Sequence, residues 1–175
     1  MNVHDRHAPV DVPLFRRVMG RFATGVTVIT AEADGHLRGM TANAFLSGSL
    51  EPPLCVISVA VKAHMHPHLL SAGRFGISIL AKGQESISAH FAGHNRDHLH
   101  AELERLGGVP LLKGASAVIA AETEARHACG DHSLFIGRIL HMRDHGRTPL
   151  VFHSGRYGSF TPSQEMANVP TIEFW

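Results

Sequence analysis

The chain lacks most of the features that announce a role. Its 175 residues include two cysteines. Cys55 lies inside an apolar run and Cys129 stands before a glycine. That is too few for a disulfide framework, and the pair is too far apart in sequence for a zinc ribbon. Both are expected to stay reduced. Charge of one sign is also missing: 16 Lys and Arg against 15 Asp and Glu leave a formal net charge of +1. That gives no general pull toward nucleic acid or an anionic membrane, so any phosphate-bearing ligand has to be held locally. No uncharged apolar run could span a bilayer, and the opening MNVHDRHAPVDV lacks a signal peptide's apolar stretch, which points to the cytoplasm. There is no G-x-G-x-x-G after a strand, no Walker A sequence, no H-E-x-x-H and no G-x-S-x-G, so Rossmann, nucleoside-triphosphatase, zincin and serine-hydrolase readings lose their support. No repeat, low-complexity tract or Pro/Gly linker divides the chain. One domain over 1–175 is expected, with its core at about 12–160 and a tail at 161–175.

The composition that remains, 44% hydrophobic and 18% charged, is that of an ordinary globular protein. Histidine is abundant at 15 residues. Positive charge should therefore grow as pH falls through roughly 6.5, although abundance alone is usually solvated surface.

Periodicity supplies the elements. Asp11 can cap a helix with Pro13 in its first turn, and Leu14, Phe15, Val18, Met19 and Phe22 recur at helical spacing, predicting a buried face. FATGVTVIT is β-branched and reads as strand, Asp34-Gly35 as a turn, and a second strand follows toward Gly39 and Met40. Further strands are predicted at Leu54 to Val61, Arg74 to Ala81, Ser116 to Ala125, Ser133 to Met142 and Pro149 to Tyr157. Helices are expected in QESISAHFA, pairing Ile87 with Phe91, and in RDHLHAELERL, pairing Leu99 with Leu103 and Leu106. Many strands with only short helices argue for a mostly β, antiparallel barrel, which also removes exposed sheet edges.

Three stretches offer chemistry. In GMTANAFLSGSLEPPL, the small residues Thr41, Ala42 and Ala44 would let main-chain groups reach a flat heteroaromatic ligand, and Asn43 adds a donor and an acceptor. The bland reading is a hairpin with a loop stiffened by Pro52 and Pro53. In SVAVKAHMHPHL, Lys62 could meet a phosphate or simply snorkel. His64, His66 and His68 would share a face if extended and could then ligate a metal, but Pro67 intervenes and no carboxylate is near in sequence. No metal site is assigned there, nor at the helical pair His94 and His98. In CGDHSLFIG, the Asp131-His132 pair at a strand entrance is either a hydrogen-bonded turn or aimed at a ligand. Cys129 beside it is either a reactive thiol or a small buried hydrophobe.

The order of these stretches adds a further reading. FRRVMGRFATGVTVIT, GMTANAFLSGSLEPPL, RFGISILAKGQESISAHFAG, GDHSLFIGRI and PLVFHSGRYGSF together resemble the flavin reductase family from about Phe15 to Phe160. These NAD(P)H:flavin oxidoreductases serve two-component flavin monooxygenases, and the likeness is greatest to reductase components of aromatic-hydroxylating systems. The resemblance implies an FMN-binding split barrel and a homodimer with flavin near the subunit interface. It implies that reduced FAD or FMN is made from NADH or NADPH and passed to a partner monooxygenase. By the same resemblance, Gly39, Met40, Thr41, Ala42, Asn43 and Ala44 would wrap the isoalloxazine ring. Ser58, Val59, Ala60, Val61, Lys62 and Ala63 would line the opposite wall, with Lys62 near the phosphate. Ala92 and Gly93 would add a flavin contact. His132 would stand close to the nicotinamide as an orienting group, and Ser154, Gly155, Arg156 and Tyr157 would contact that cofactor. Family members commonly carry Ser-Arg or Ser-Lys where this chain has Ala63-His64-Met65, so the anion contacts there depart from the pattern. Two other readings remain: a flavoprotein with fixed flavin reducing another acceptor, and a non-catalytic flavin- or metal-binding module. The tail SQEMANVPTIEFW would pack across the dimer, cover the groove or fray.

Overall fold

The computed structural model describes residues 10–94 and 101–162. Helix α1, Val12–Met19, begins as its sequence predicts: Asp11 Oδ2 accepts the Leu14 N–H at 3.0 Å and proline sits in the first turn. The strands follow as β1 (Thr24–Gly25), β2 (Thr27–Ala33), β3 (His36–Ala42), β4 (Phe45–Ser49) and β5 (Leu54–Ala60). After them come α2 (Met65–Ala72), β6 (Arg74–Ile79), α3 (Glu85–Phe91), β7 (Leu103–Leu106) and β8 (Val109–Leu112). The last four are β9 (Ala117–Cys129), β10 (His132–Asp144), β11 (Leu150–His153) and β12 (Arg156–Ser159).

Seven strands form one sheet in the order β3-β2-β6-β9-β10-β5-β4, with every neighbouring pair antiparallel. A second sheet runs β1-β11-β12, and β7 pairs with β8. The chain crosses between the two larger sheets at Val26, and the seam is stitched by main-chain bonds: Leu80 N–H to Val26 O at 2.8 Å and Leu150 N–H to Leu80 O at 2.9 Å. The mostly β, antiparallel architecture matches the expectation. Strand β2 is buried at five consecutive positions from Thr27 to Ala31, because both of its faces are covered. Ile29 and Ala31 join Ile57, Phe75, Ile77 and Phe135 on one side, while Val28 joins Val26, Leu80, Leu112 and Leu150 on the other. Each fully buried Leu, Ile or Phe contributes about 1.5–3 kcal/mol. Among the described residues, no helix is long and apolar enough to cross a membrane.

Several expectations are corrected. The apolar face of α1 is not buried: Phe15 is 55% exposed and Phe22 75%, and Leu14, Val18 and Met19 are also open, because no other part of the described chain packs over them. Pro149 to Tyr157 is not one strand. Ser154 and Gly155 take φ of 49° and 79° and turn the chain back, separating β11 from β12. In RDHLHAELERL, Leu103–Leu106 is strand β7, paired with β8 across Gly107-Gly108 at φ of 58° and 84°, a turn signal stronger than the leucine spacing; Leu99 and His98 lie outside the described residues. The histidines after β5 are not extended. They enter helix α2, so His64, His66 and His68 do not alternate on one face, and among the described residues no His/Cys/Asp/Glu group has metal-holding geometry. Strand β4 was not read from the sequence at all.

Candidate active site

The strip from Gly39 to Ala44 is shaped by what packs behind it. A Cβ on Gly39 would lie 2.5 Å from Phe91 Cε1, so the missing side chain lets α3 lie flat on β3. Thr41 Oγ1 donates to Ser88 O at 2.7 Å and ties the same two elements together. Ala42 O accepts from Thr27 Oγ1 at 2.7 Å, and Ala44 O accepts the Ser58 N–H at 3.1 Å, so both ends of the strip are fixed. A cleft of about 470 Å³ opens over it, within the usual size for a small-molecule site. It brings together six expected residues, Thr41, Ala42, Asn43, Ala92, Gly155 and Tyr157, and its walls are mainly apolar. Tyr157 O–H donates to Ser88 Oγ at 2.9 Å and its ring stands edge-on to Phe152, with centroids 5.5 Å apart.

A second cleft, of about 770 Å³, lies on the other side of Asn43 and is lined by Asn43, Ala44, Ser58, Cys129 and His132 with the apolar residues of α1 and β4. His132 arrives there through a two-residue hairpin: it pairs with Cys129, and Gly130 supplies the positive φ of 61° that the turn requires. On its other edge His132 is opposite Ala60, and Asp131 O accepts the Val61 N–H at 3.0 Å. His132 Nδ1 and Asp131 Oδ1 are 2.7 Å apart. That contact assigns the proton to Nδ1 and leaves Nε2 as the ring's other polar atom. The hydrogen bond from His132, then its charge, hold the Asp131 carboxyl below the usual aspartate range, and the Lys62 charge adds in the same direction. The Asp-His pair is thus a hydrogen-bonded turn with its imidazole on a cleft wall.

The other expected residues divide by burial. Val59 is fully in the core and Met40 packs against it, so only their main chain could meet a ligand. Ser58 and Ala60 are half-buried, Val61 and Lys62 are exposed, and Ala63 packs on the core. Gly93, at φ 81°, ends α3 after the Ala92 cap. Ser154 binds away from the first cleft, its N–H reaching Gly20 O at 2.9 Å, and Arg156 flanks it in a neighbouring recess. Cys129 is an exposed free thiol and Cys55 a buried one. Burial pushes the Cys55 thiol up to about 11.

Several lining residues of the clefts are not among the expected ones. Ser88 lies four positions before Ala92 on one helical face, a spacing that could have found it. Ala89 and Phe152 belong to the same cleft, and Leu134 to the second. His66 was read as a possible ligand; it is buried instead, with Nε2 2.9 Å from Ser133 Oγ and its ring edge-on to Phe135, fastening α2 to the start of β10.

Among the described residues lining the two clefts, no serine or cysteine is hydrogen-bonded to a histidine. What they offer is a strip of small residues with accessible main chain, flanked by apolar walls, an amide and an imidazole, which suits holding flat heteroaromatic rings. Comparison with known proteins agrees. A family model described as "Flavin reductase like domain" matches residues 19–161. An NADH-dependent flavin reductase of Rhodococcus sp is 43% identical over 157 residues, covering 86% of this chain and 88% of the relative. The reductase component of 4-hydroxyphenylacetate 3-monooxygenase of Thermus thermophilus is 39% identical over 145 residues, covering 82% of this chain and 93% of that one. The solved structure of the NADH:FAD oxidoreductase SgcE6 of Streptomyces globisporus, in complex with NAD and FAD fragments, superposes with a TM-score of 0.83 at 37% identity, covering 90% of this chain and 97% of that chain.

Proposed function

The chain belongs to the flavin reductase-like domain family, and from that premise we propose that it is an NADH:flavin oxidoreductase. It passes hydride from NADH to FAD or FMN and supplies reduced flavin to a partner monooxygenase. The observation that carries this reading is the position of Asn43. It lies on both clefts, on a strip from Thr41 to Ala44 that has α3 and Tyr157 on one side and His132 on the other. No side chain on that strip is larger than asparagine, so a flat tricyclic ring fits against it without displacing anything.

Flavin, when bound, supplies the hydride-accepting chemistry; the chain's part is position and exclusion of water. Main-chain groups of Gly39 to Ala44 and of Ser58 to Ala63 hold the ring, with Asn43 at a polar edge and Ala92 and Gly93 beside it. His132, locked by Asp131, presents Nε2 to a carboxamide or ring edge and orients the nicotinamide. Ser154 to Tyr157 complete the nicotinamide side. NADH is the donor, in keeping with the relatives' names. The chain acts as one domain over 1–175 and as a homodimer. The support for the dimer is the second cleft, whose wall toward α1 is a row of exposed Phe15, Met19 and Phe22 that a second copy would cover.

The test is to follow loss of reduced-nicotinamide absorbance with NADH or NADPH, each with FAD, FMN or no added flavin. Turnover that saturates with added flavin is expected, with NADH preferred. Folded protein that oxidises neither donor under any flavin condition would reject the reading. Flavin that stays with the protein through gel filtration would favour a fixed prosthetic group over a released product.

A further inference from the structure

The rim of the first cleft carries a concentration of positive charge, of whose arginines the reading above uses Arg156 alone. Helix α1 and the loop after it supply Arg16, Arg17 and Arg21, and the β11–β12 hairpin supplies Arg156 and His153. The two groups lie far apart in sequence and are joined at one point. Ser154 donates its N–H to Gly20 O at 2.9 Å and its hydroxyl to the same oxygen at 3.3 Å. That junction creates two contiguous recesses, of about 310 and 480 Å³, which share Arg21 and Ser154.

Three observations point to an anion there. First, no acidic group pairs with this charge among the described residues, and residues 12–31 and 145–164 contain no Asp or Glu. Among the described residues no ion pair involves Arg16, Arg17, Arg21 or Arg156, although other surface arginines do pair, Arg138 with Glu124 at 2.6 Å for instance. Second, the surface is concave rather than flat, which suits a small ligand more than a protein face. Third, it is continuous with the proposed ring site: Gly155 lines the first cleft and one recess, and Tyr157 the first cleft and the other. On α1 the arginines also stand apart from the apolar row. At about 100° per residue, Arg16 and Arg17 fall opposite Phe15, Val18 and Met19, so covering that row would leave the recesses open.

The stretch after β5 carries one fixed cation, Lys62, against four arginines at the recesses.

We propose that this arginine recess binds the diphosphate of a dinucleotide whose ring occupies the adjoining cleft. Guanidinium forks match phosphate oxygens in pairs, and several converging on one recess favour two linked phosphates over none. The inference rests on the reductase reading for what the ring is. The diphosphate chemistry is the same whether it comes from FAD or from NADH, and the recess would select for the dinucleotide over riboflavin or free nicotinamide.

The first measurement is calorimetric titration of the wild-type protein with ADP and with inorganic diphosphate, repeated at raised salt. Binding that weakens with salt is expected, since the cations are exposed. In Arg17→Gln and Arg21→Gln, ADP affinity should fall on the order of tenfold each, and Arg21→Lys should recover part of the loss. Steady-state kinetics then separate the sources. A rise in KM for FAD with KM for riboflavin and NADH unchanged assigns the flavin diphosphate; a rise in KM for NADH alone assigns the nicotinamide diphosphate. ADP that fails to bind the wild type, or binds all three variants as well as the wild type, overturns the proposal, as does an equal loss for riboflavin. If the wild type oxidises no NADH, the reductase reading fails while the ADP titration still decides the recess.

Discussion

Gly39 separates two accounts of why the position carries no side chain, one in which a Cβ would meet the ligand and one in which it would meet α3. Replacing it with alanine puts a methyl 2.5 Å from Phe91 Cε1 and 2.6 Å from Cδ1. Carbon atoms rest at about 3.5–4.0 Å, so the ring must retreat by roughly 1 Å. It cannot do so freely, because Phe91 packs against the cluster of Val26, Val28, Leu80, Leu112 and Leu150. The helix must shift instead, which strains the 2.7 Å bond from Thr41 to Ser88 and moves the cleft wall formed by Ser88, Ala89 and Ala92. Overpacking of this kind costs about 1–3 kcal/mol. At about 2–4 °C per kcal/mol for a chain of this size, the melting temperature should drop by roughly 2–12 °C.

Flavin affinity should weaken with it, by about threefold to tenfold if part of that strain is relieved by ligand release. The assay pairs thermal melting with fluorescence titration of flavin in Gly39→Ala, Phe91→Leu and the double variant. Shortening Phe91 removes the obstacle, so the double variant should regain stability and affinity relative to Gly39→Ala, with a coupling of about 0.5–3 kcal/mol. A Gly39→Ala protein that melts with the wild type refutes the packing account. So does one whose stability returns in the double variant while its affinity does not, since the added methyl would then be meeting the ligand itself.

His132→Ala should raise KM for NADH and lower kcat/KM by about tenfold while flavin affinity holds; loss of turnover with normal affinities would make the imidazole more than an orienting group. In the same variant the Asp131 carboxyl, freed of the hydrogen bond that depresses it, should titrate higher by carboxyl NMR. Because its pKa in the folded protein is lowered, whatever that contact adds is present above the ordinary aspartate range and lost as pH falls through the lowered value. With Cys55 buried and Cys129 exposed, a thiol reagent should label one cysteine of the native chain and two after unfolding; equal native labelling would contradict the burial. The Cys55 thiol, raised from 9.0 to about 11, should make stability decline as pH climbs through that interval, because the unfolded thiol ionises first. Met19→Glu, placing a charge on the open face of α1, should turn a dimer into a monomer by light scattering, whereas an unchanged mass would put the dimer contact elsewhere.

Local pattern was enough for most strands and for α1 and α3, because β-branched runs, a capping aspartate and a Pro in the first turn act over a few residues. It failed where two signals competed. Leu103 and Leu106 have helical spacing, yet Gly107-Gly108 closes a hairpin and wins because its positive φ values fix the strand pairing. Ser154-Gly155 is likewise a turn signal, but it stands between His153 and Arg156 behind the apolar Leu150-Val151-Phe152, whose strand-like run extends naturally through it. In the site, the strip at Thr41 to Ala44 and the hairpin at His132 were legible from residue type and order. That they lie on two clefts meeting at Asn43 was not, because the clefts exist only once α3 lies on β3 and β12 folds back over β11.

Helix α1 marks a different boundary. Its spacing of Leu14, Phe15, Val18 and Met19 says that one face is to be kept from water, and nothing in that spacing says by what. The hydrophobic driving force scales with area removed from solvent and is indifferent to whether the covering atoms come from the same chain or another. A helix that packed within its own domain would pair that row with a row of the core, and among the described residues the core clusters do not include it. The opposite face carries Arg16 and Arg17, and its end is held to the hairpin through Gly20 and Ser154. On these two proposals a single short helix would meet a second copy on one side and a ligand's phosphates on the other. Met19→Glu tests that division as well: if the two faces act separately, the dimer should dissociate while ADP still binds the arginine recess, and loss of both together would mean the recess needs the second copy to hold its shape.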